Sequence, residues 1–289
     1  MGHLAFPLGA AWRLTRFEHA IMLGIASLAG MVIATGSLGT SYALVALIAL
    51  VPMLNEVASF SLNDILDVKT DRMNGKTDRP LVSGEISESA AWAITIFGYA
   101  LSIALAWFIN PLAFWIALFF GIISVFYNYR LKDYPLVGNA FIGLSMAVPF
   151  YFGAASAGAQ SSMSVISVCI LAFVVGFGRE IAKTIQDAKG DFKARGSRHI
   201  AILIGSRASA IISALCYFLA LPLTYLVYAY GIKPVPLSVA LVLASNTAFF
   251  YLGARIIIAH NDAEFLKSAR TLSLLALGVG LAGIIAGAF

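Results

Sequence analysis

Apolar residues along this chain come in long runs separated by short polar loops. Nine runs each approach the roughly 20 residues that cross the hydrocarbon core of a bilayer. They cover about residues 17 to 37, 41 to 62, 90 to 109, 111 to 128, 137 to 157, 163 to 182, 205 to 229, 234 to 256 and 269 to 288, by the same length criterion. A backbone inside lipid must satisfy its own hydrogen bonds, so the pattern predicts an all-α polytopic membrane protein with nine transmembrane helices. The first run follows Arg13 and Arg16 and has no small-residue cleavage site behind it. It is expected to be a retained span and not a signal peptide. No linker is long enough to divide the chain, so residues 1–289 are expected to form one transmembrane domain.

Composition strengthens this picture. Hydrophobic residues make up 60% of the chain and charged residues 11%, against about 25% charged in soluble domains. The mean hydropathy is +0.89. With the N-terminus in the cytoplasm, every Lys and Arg except Lys233 falls on the inner side, and so do the acids. By the positive-inside rule this predicts a multi-pass cell-membrane protein with a cytoplasmic N-terminus, an outside C-terminus and its chemistry at the cytoplasmic face. The net charge of +5 follows from that topology beside an anionic leaflet and gives no reason to invoke nucleic acid. Cys169 and Cys216 lie within predicted spans, show no pairing or metal-ligand spacing, and read as packing residues.

Two polar stretches change the picture further: Asn63 to Asp71 closes the second run, and Glu180 to Asp191 closes the sixth. Carboxylates at a bilayer edge are costly to place and usually mark function. Residues four apart are stacked neighbours on a helix. Asn63, Asp67 and Asp71 therefore form a ladder of oxygen ligands, with Asp64 turned about 100° off it. Glu180, Asp187 and Asp191 share a second face, with Lys183 beside them and Gly190 as a candidate helix end. Oxygen ligands without His or thiolate suit a hard cation, and Mg2+ takes one or two carboxylates plus water and phosphate oxygens. Two such ladders among basic residues point to a magnesium diphosphate. The loop cations Lys69, Arg72, Lys76 and Arg79 either contact phosphate or anchor the inner leaflet.

These residues resemble the UbiA-type intramembrane prenyltransferases. Asn63, Asp67 and Asp71 match the family's Asn-x-x-x-Asp-x-x-x-Asp motif, and Asp187 and Asp191 match its Asp-x-x-x-Asp. The likeness covers nearly the whole chain. Gly178 through Asp191, the loop Asp78-Arg79-Pro80-Leu81-Val82-Ser83-Gly84, and Leu131-Lys132 with Gly138-Asn139 and Phe152-Gly153 are most similar to the archaeal branch. That branch makes digeranylgeranylglyceryl phosphate, a membrane-lipid precursor. Two positions depart: Thr184 stands where that branch commonly has an acid, and Asn128 stands where the family's Tyr-x-x-x-Lys would place Tyr before Lys132. Arg16-Phe17-Glu18-His19 is similar to the aromatic-acceptor branch, which prenylates 4-hydroxybenzoate, so the acceptor stays open.

The resemblance implies Mg2+-dependent transfer of a geranylgeranyl group from its diphosphate to the hydroxyl of geranylgeranylglyceryl phosphate. Prenylation of 4-hydroxybenzoate or a related quinone precursor is the alternative. Asn63, Asp67, Asp71, Asp187 and Asp191 would hold the metal, the four aspartates being the catalytic set. Lys69, Arg72, Arg79, Lys132 and Lys183 would meet the diphosphate, and Arg16, His19, Arg195 and Arg198 the acceptor. Partners would be a prenyl diphosphate donor, a lipid-phosphate or aromatic acceptor, and membrane lipids. An allylic cation is stabilised by aromatic faces, for which Phe119, Phe120, Tyr127, Tyr129, Phe150, Tyr151 and Phe152 are candidates unless they merely pack or face lipid. Two other classes also place acids in membranes. A cation-coupled transporter binds at mid-depth on broken helices, whereas these acids cluster at one face. A CDP-alcohol phosphatidyltransferase carries an Asp-Gly-x-x-Ala-Arg motif that is absent here.

Overall fold

The computed structural model describes residues 8–39, 41–195 and 200–289, with side chains for all of these except 187–195. Among the described residues every regular element is helical, and nine helices are long and apolar enough to cross a membrane. The chain divides into two compact units, Met1–Ala26 with Ser41–Leu131 and Ser27–Thr40 with Lys132–Phe289.

The first unit opens with α1 (Leu8–Thr15), a short helix ahead of the first predicted run that buries Ala10 and Leu14. The N-terminal half of α2 (Phe17–Thr35) follows. Then comes α3 (Tyr42–Met73), capped by Ser41, whose hydroxyl accepts from the Leu44 amide. It continues well past the apolar run that predicted it, because between Leu62 and Gly75 the sequence has no glycine or proline. The ladder is therefore helical throughout. A one-turn α4 (Pro80–Ser83) stops at left-handed Gly84. The hairpin of α5 (Glu88–Trp107) and α6 (Pro111–Tyr129) begins each helix on a side-chain cap, Ser87 and Asn110. Small and hydroxylated residues let α3 and α5 approach closely, as membrane helices require without a hydrophobic drive between them. Ser61 donates to the Ala91 carbonyl at 2.9 Å, and Ser102 to the Val51 carbonyl at 2.9 Å. Leu14, Ile65, Leu81, Ile86 and Ala91 close the core at the polar end of this unit.

The second unit holds the C-terminal half of α2, a 3-10 turn at Leu131–Asp133, α7 (Val137–Ser156) and α8 (Met163–Arg195). It continues through α9 (Ile200–Leu203), α10 (Ser206–Phe218), α11 (Ala220–Ala229), α12 (Pro236–Ile258) and α13 (Ala263–Ala288). The seventh predicted run is one span, Ser206–Ala229, interrupted only at Leu219 between α10 and α11. Pro222 is the reason: it has no N–H to offer the Phe218 carbonyl, so one helical bond is lost while Leu219 keeps helical dihedrals. Helix α8, by contrast, runs through Gly190 to Arg195, so the expected early end is not found. A glycine inside a helix costs only about 1 kcal/mol, less than the turns on either side of it supply.

Within this unit α2 and α7 meet backbone to backbone. A Cβ on Gly153 would stand 1.8 Å from the Ser27 carbonyl oxygen, and one on Gly30 would stand 2.0 Å from that of Phe150. Backbone atoms cannot rotate away. Gly153→Ala is therefore expected to destabilise the protein by about 3 kcal/mol, the upper end for overpacking. Gly278→Ala, where an added methyl meets nothing within 4 Å, is the control, and thermal unfolding midpoints in detergent compare the two.

Candidate active site

The C-terminal residues of α3 gather the first group of candidate side chains. A left-handed Gly75 (φ 67) ends the helix and turns the chain back on itself. The Lys76 amide bonds the Asp71 carbonyl at 3.0 Å and the Gly75 amide the Arg72 carbonyl at 3.2 Å, a glycine-terminated C-cap. This reversal returns two cations to the helix end. Lys76 Nζ lies 2.9 Å from Asp71, and Arg79 Nε lies 3.9 Å from the other Asp71 oxygen. Arg79, held extended by the proline that follows it, also donates through Nη1 to both Asp64 oxygens at 3.1 and 3.2 Å.

Asp64 is buried and off the ladder, where helical geometry puts it, and it collects a second arginine. Arg16 Nη2 donates to it at 3.0 Å. Arg16 sits between α1 and α2 with a φ of 43, in the left-handed region that costs an L-residue about 1–2 kcal/mol. The Asp64 bond and the Phe60 ring, whose centroid lies 4.3 Å from the guanidinium carbon, hold it there. Burial pushes the Arg16 guanidinium below its ordinary range, and Asp64 opposes that shift. His19 packs its ring 5.6 Å from the same Phe60. Further out, Arg13 bonds both oxygens of Glu85 at 2.6 and 2.7 Å, ties α1 to the loop after α4, and holds that carboxyl below the usual range with help from Ser83.

Asn63 and Asp67 are half-buried on the ladder face, Asp71 is buried, and Lys69 and Arg72 are exposed. In the second unit Lys132 is half-buried in the 3-10 turn. Glu180 is buried and accepts from Lys183 Nζ at 2.9 Å. The Thr184 hydroxyl is spent on the Ile181 carbonyl at 2.8 Å, so this departure packs inward. The backbone stays helical from Glu180 to Arg195, which keeps Asp187 and Asp191 in register with Glu180. The side chains of Asp187, Asp191 and Arg195, and all of Arg198, lie outside the described residues. Sequence reasoning gave no role to Arg179, whose buried Nε has no hydrogen-bond partner among the described residues. It also gave none to Arg270, which reaches Gln186 at 3.5 Å from α13.

No three His, Cys, Asp or Glu side chains gather into a ready-made metal cage among the described residues. The donor chemistry nevertheless fits magnesium. Asn63, Asp67 and Asp71 offer only oxygen on one helix face, and Mg2+ usually keeps several waters and substrate phosphates in place of an all-protein shell.

The sequence profile of the UbiA prenyltransferase family matches residues 23–275. The chain belongs to that family. It is 33% identical over 289 residues to the digeranylgeranylglyceryl phosphate synthase of Archaeoglobus fulgidus, covering 98% of this chain and 96% of the relative. To the Thermococcus kodakarensis enzyme of the same name it is 32% identical over 220 residues, 76% of this chain and 77% of the relative. A solved structure from work on digeranylgeranylglyceryl phosphate synthase in membranes superposes with a TM-score of 0.79 at 26% identity, covering 97% and 98% of the two chains. A UbiA homolog from Archaeoglobus fulgidus bound to GPP and Mg2+ shares the fold, with a TM-score of 0.67 at 21% identity over 95% of this chain and 99% of that one.

This UbiA-family protein is thus a multi-pass membrane prenyltransferase. Its departure at the family's tyrosine position has a structural reason. Asn128 is buried and donates to the Ser59 carbonyl at 3.3 Å, the Ser59 hydroxyl at 3.2 Å and the Ser124 carbonyl at 3.0 Å. Tyr99 donates to Ser124 at 2.9 Å, and Ser124 to Ser59 at 2.7 Å. Position 128 therefore fastens α6 to α3. Of the candidate aromatics, Phe119 and Tyr129 are exposed, whereas Phe150 and Phe152 are buried.

Proposed function

We propose that this prenyltransferase transfers a geranylgeranyl group from geranylgeranyl diphosphate to the free hydroxyl of geranylgeranylglyceryl phosphate, at the cytoplasmic face, with a cytoplasmic N-terminus and an outside C-terminus. One observation carries the reading: the 33% identity to the Archaeoglobus fulgidus digeranylgeranylglyceryl phosphate synthase runs over 98% of this chain. The whole chain is taken to act as one catalytic domain.

Asn63, Asp67 and Asp71, together with Asp187 and Asp191, are the proposed ligands of Mg2+. The metal, when bound, would neutralise the diphosphate and so ease departure of pyrophosphate. Lys69, Arg72, Arg79, Lys132 and Lys183 are assigned to the remaining phosphate charge. Arg79 comes already oriented by Asp64, so little side-chain freedom is lost when it engages an oxygen. Arg16 is assigned to the acceptor's phosphate with His19 beside it, and Arg195 and Arg198 complete the basic group. A guanidinium has five N–H donors, and Asp64 uses one of those on Arg16. Loss of the diphosphate leaves an allylic cation that must be kept from water, which explains why the reaction belongs inside a membrane protein.

The test is a competition. Purified protein is given geranylgeranyl diphosphate with equimolar geranylgeranylglyceryl phosphate and 4-hydroxybenzoate, and products are identified by mass. The expected product is the diether phosphate, in at least about tenfold excess, a preference worth about 1.4 kcal/mol. A predominance of prenylated benzoate would move the assignment to the aromatic branch.

A further inference from the structure

Glu56 is the one charged residue in the apolar part of α3, between Tyr42 and Leu62. An acid at that depth is expensive to keep and calls for a reason. Packing supplies none. Its neighbours Asn55 and Ser59 are bound into the seam with α6, through the Ala117 carbonyl and through Ser124 and Asn128. Glu56 accepts no hydrogen bond among the described residues; the charged group that acts on it is Arg16. It also lies on a particular stripe. Glu56, Phe60, Asn63 and Asp67 are all half-buried, whereas Ala58, Ser61, Leu62 and Ile65 on the other side of α3 are buried. Seven residues make about two turns, so Glu56 shares the face of Asn63 and stands about 10.5 Å deeper along the axis. A prenyl diphosphate held at the ladder would direct its apolar chain toward that inner side, along the apolar part of the span.

We propose that Glu56 is the general base for the acceptor. This rests on the reading that the acceptor is a hydroxyl. The allylic C–O bond to the diphosphate breaks and its electron pair leaves with pyrophosphate. An oxygen lone pair of the acceptor hydroxyl forms the new ether C–O bond, and the hydroxyl proton passes to the Glu56 carboxylate, which returns it to water. Arg16, anchored on Asp64 and acting on Glu56, brings the acceptor's anionic end to the same place.

The experiment measures three quantities on purified Glu56→Gln and Glu56→Asp: affinity for geranylgeranyl diphosphate with Mg2+, pyrophosphate released, and ether formed. General bases contribute about 100-fold or more. Ether formation by Glu56→Gln is expected to fall by about that factor, donor affinity to move by less than about threefold, and free prenyl alcohol to replace ether per pyrophosphate released. Glu56→Asp, still a base, is expected to restore part of the ratio, and it carries the test alone if the Gln variant does not purify as a single species. Ether formation within about threefold of wild type in Glu56→Gln would overturn the proposal, as would ether and pyrophosphate falling in step with donor affinity. Failure of the unmodified protein to make any ether would instead overturn the acceptor assignment, and is seen before any variant is made.

Discussion

Asp67→Ala is expected to abolish prenyl transfer while leaving the protein folded. Asp67 is the middle of three oxygen donors on one helix face, half-buried and so accessible to a bound cation. Metal clamping of a leaving group supplies several kcal/mol of charge stabilisation, and each 1.36 kcal/mol is tenfold in rate, so a loss of about 1,000-fold or more is expected. Asp187→Ala should behave alike on the second ladder. Chelation with EDTA should remove activity completely, and added Mg2+ should restore it, because the ligand set contains nothing that could replace a hard cation chemically. Product formation by mass, alongside the thermal midpoint, decides the matter. Turnover near wild type in either variant, or full activity in EDTA, would end the metal assignment.

Asp64→Ala should act differently, on stability as well as on turnover. This carboxylate is 2% exposed and pairs with Arg16 and Arg79, whose side chains are 22% and 26% exposed. Removing one partner of a buried pair costs about 3–5 kcal/mol because the remaining charge is left uncompensated. Partial exposure of both arginines argues for the lower end. Arg16 would also lose the bond that holds its left-handed backbone. The thermal midpoint should fall, and KM should rise for donor and acceptor together, since both arginines lose their orientation. Asp64→Asn keeps an acceptor oxygen and should fall between. An unchanged midpoint in the Ala variant would show that the two arginines do not depend on Asp64.

The spans were legible because length and hydropathy alone decide what crosses a bilayer. What happens inside and beyond a span is set by single residues. Pro222 interrupts the helix within the seventh span, and the absence of any glycine or proline between Leu62 and Gly75 carries α3 past its apolar end. The ladder was legible from spacing, since a helix fixes which residues share a face. The partners of Asp64 were not, because Arg16 and Arg79 lie 48 and 15 residues away and reach it only through tertiary packing. Asn128 was visible as a departure, but its reason depends on where Ser59 falls on the neighbouring helix. Glu56 counts among the inner-side acids and draws no attention by itself, although it stands in an apolar run. Periodicity carries no information about whether such an acid is paired.

Because Arg16 and Arg79 share one carboxylate, the two proposed substrates should not bind independently. A diphosphate that shares Arg79 with Asp64 weakens the Arg79 bonds to that carboxylate and strengthens its hold on Arg16, the guanidinium assigned to the acceptor. Linkage requires the reverse effect to be equal. Heterotropic cooperativity would then be built into a single aspartate, with the donor preparing the site for the acceptor and an unaccompanied allylic cation made rarer as a result.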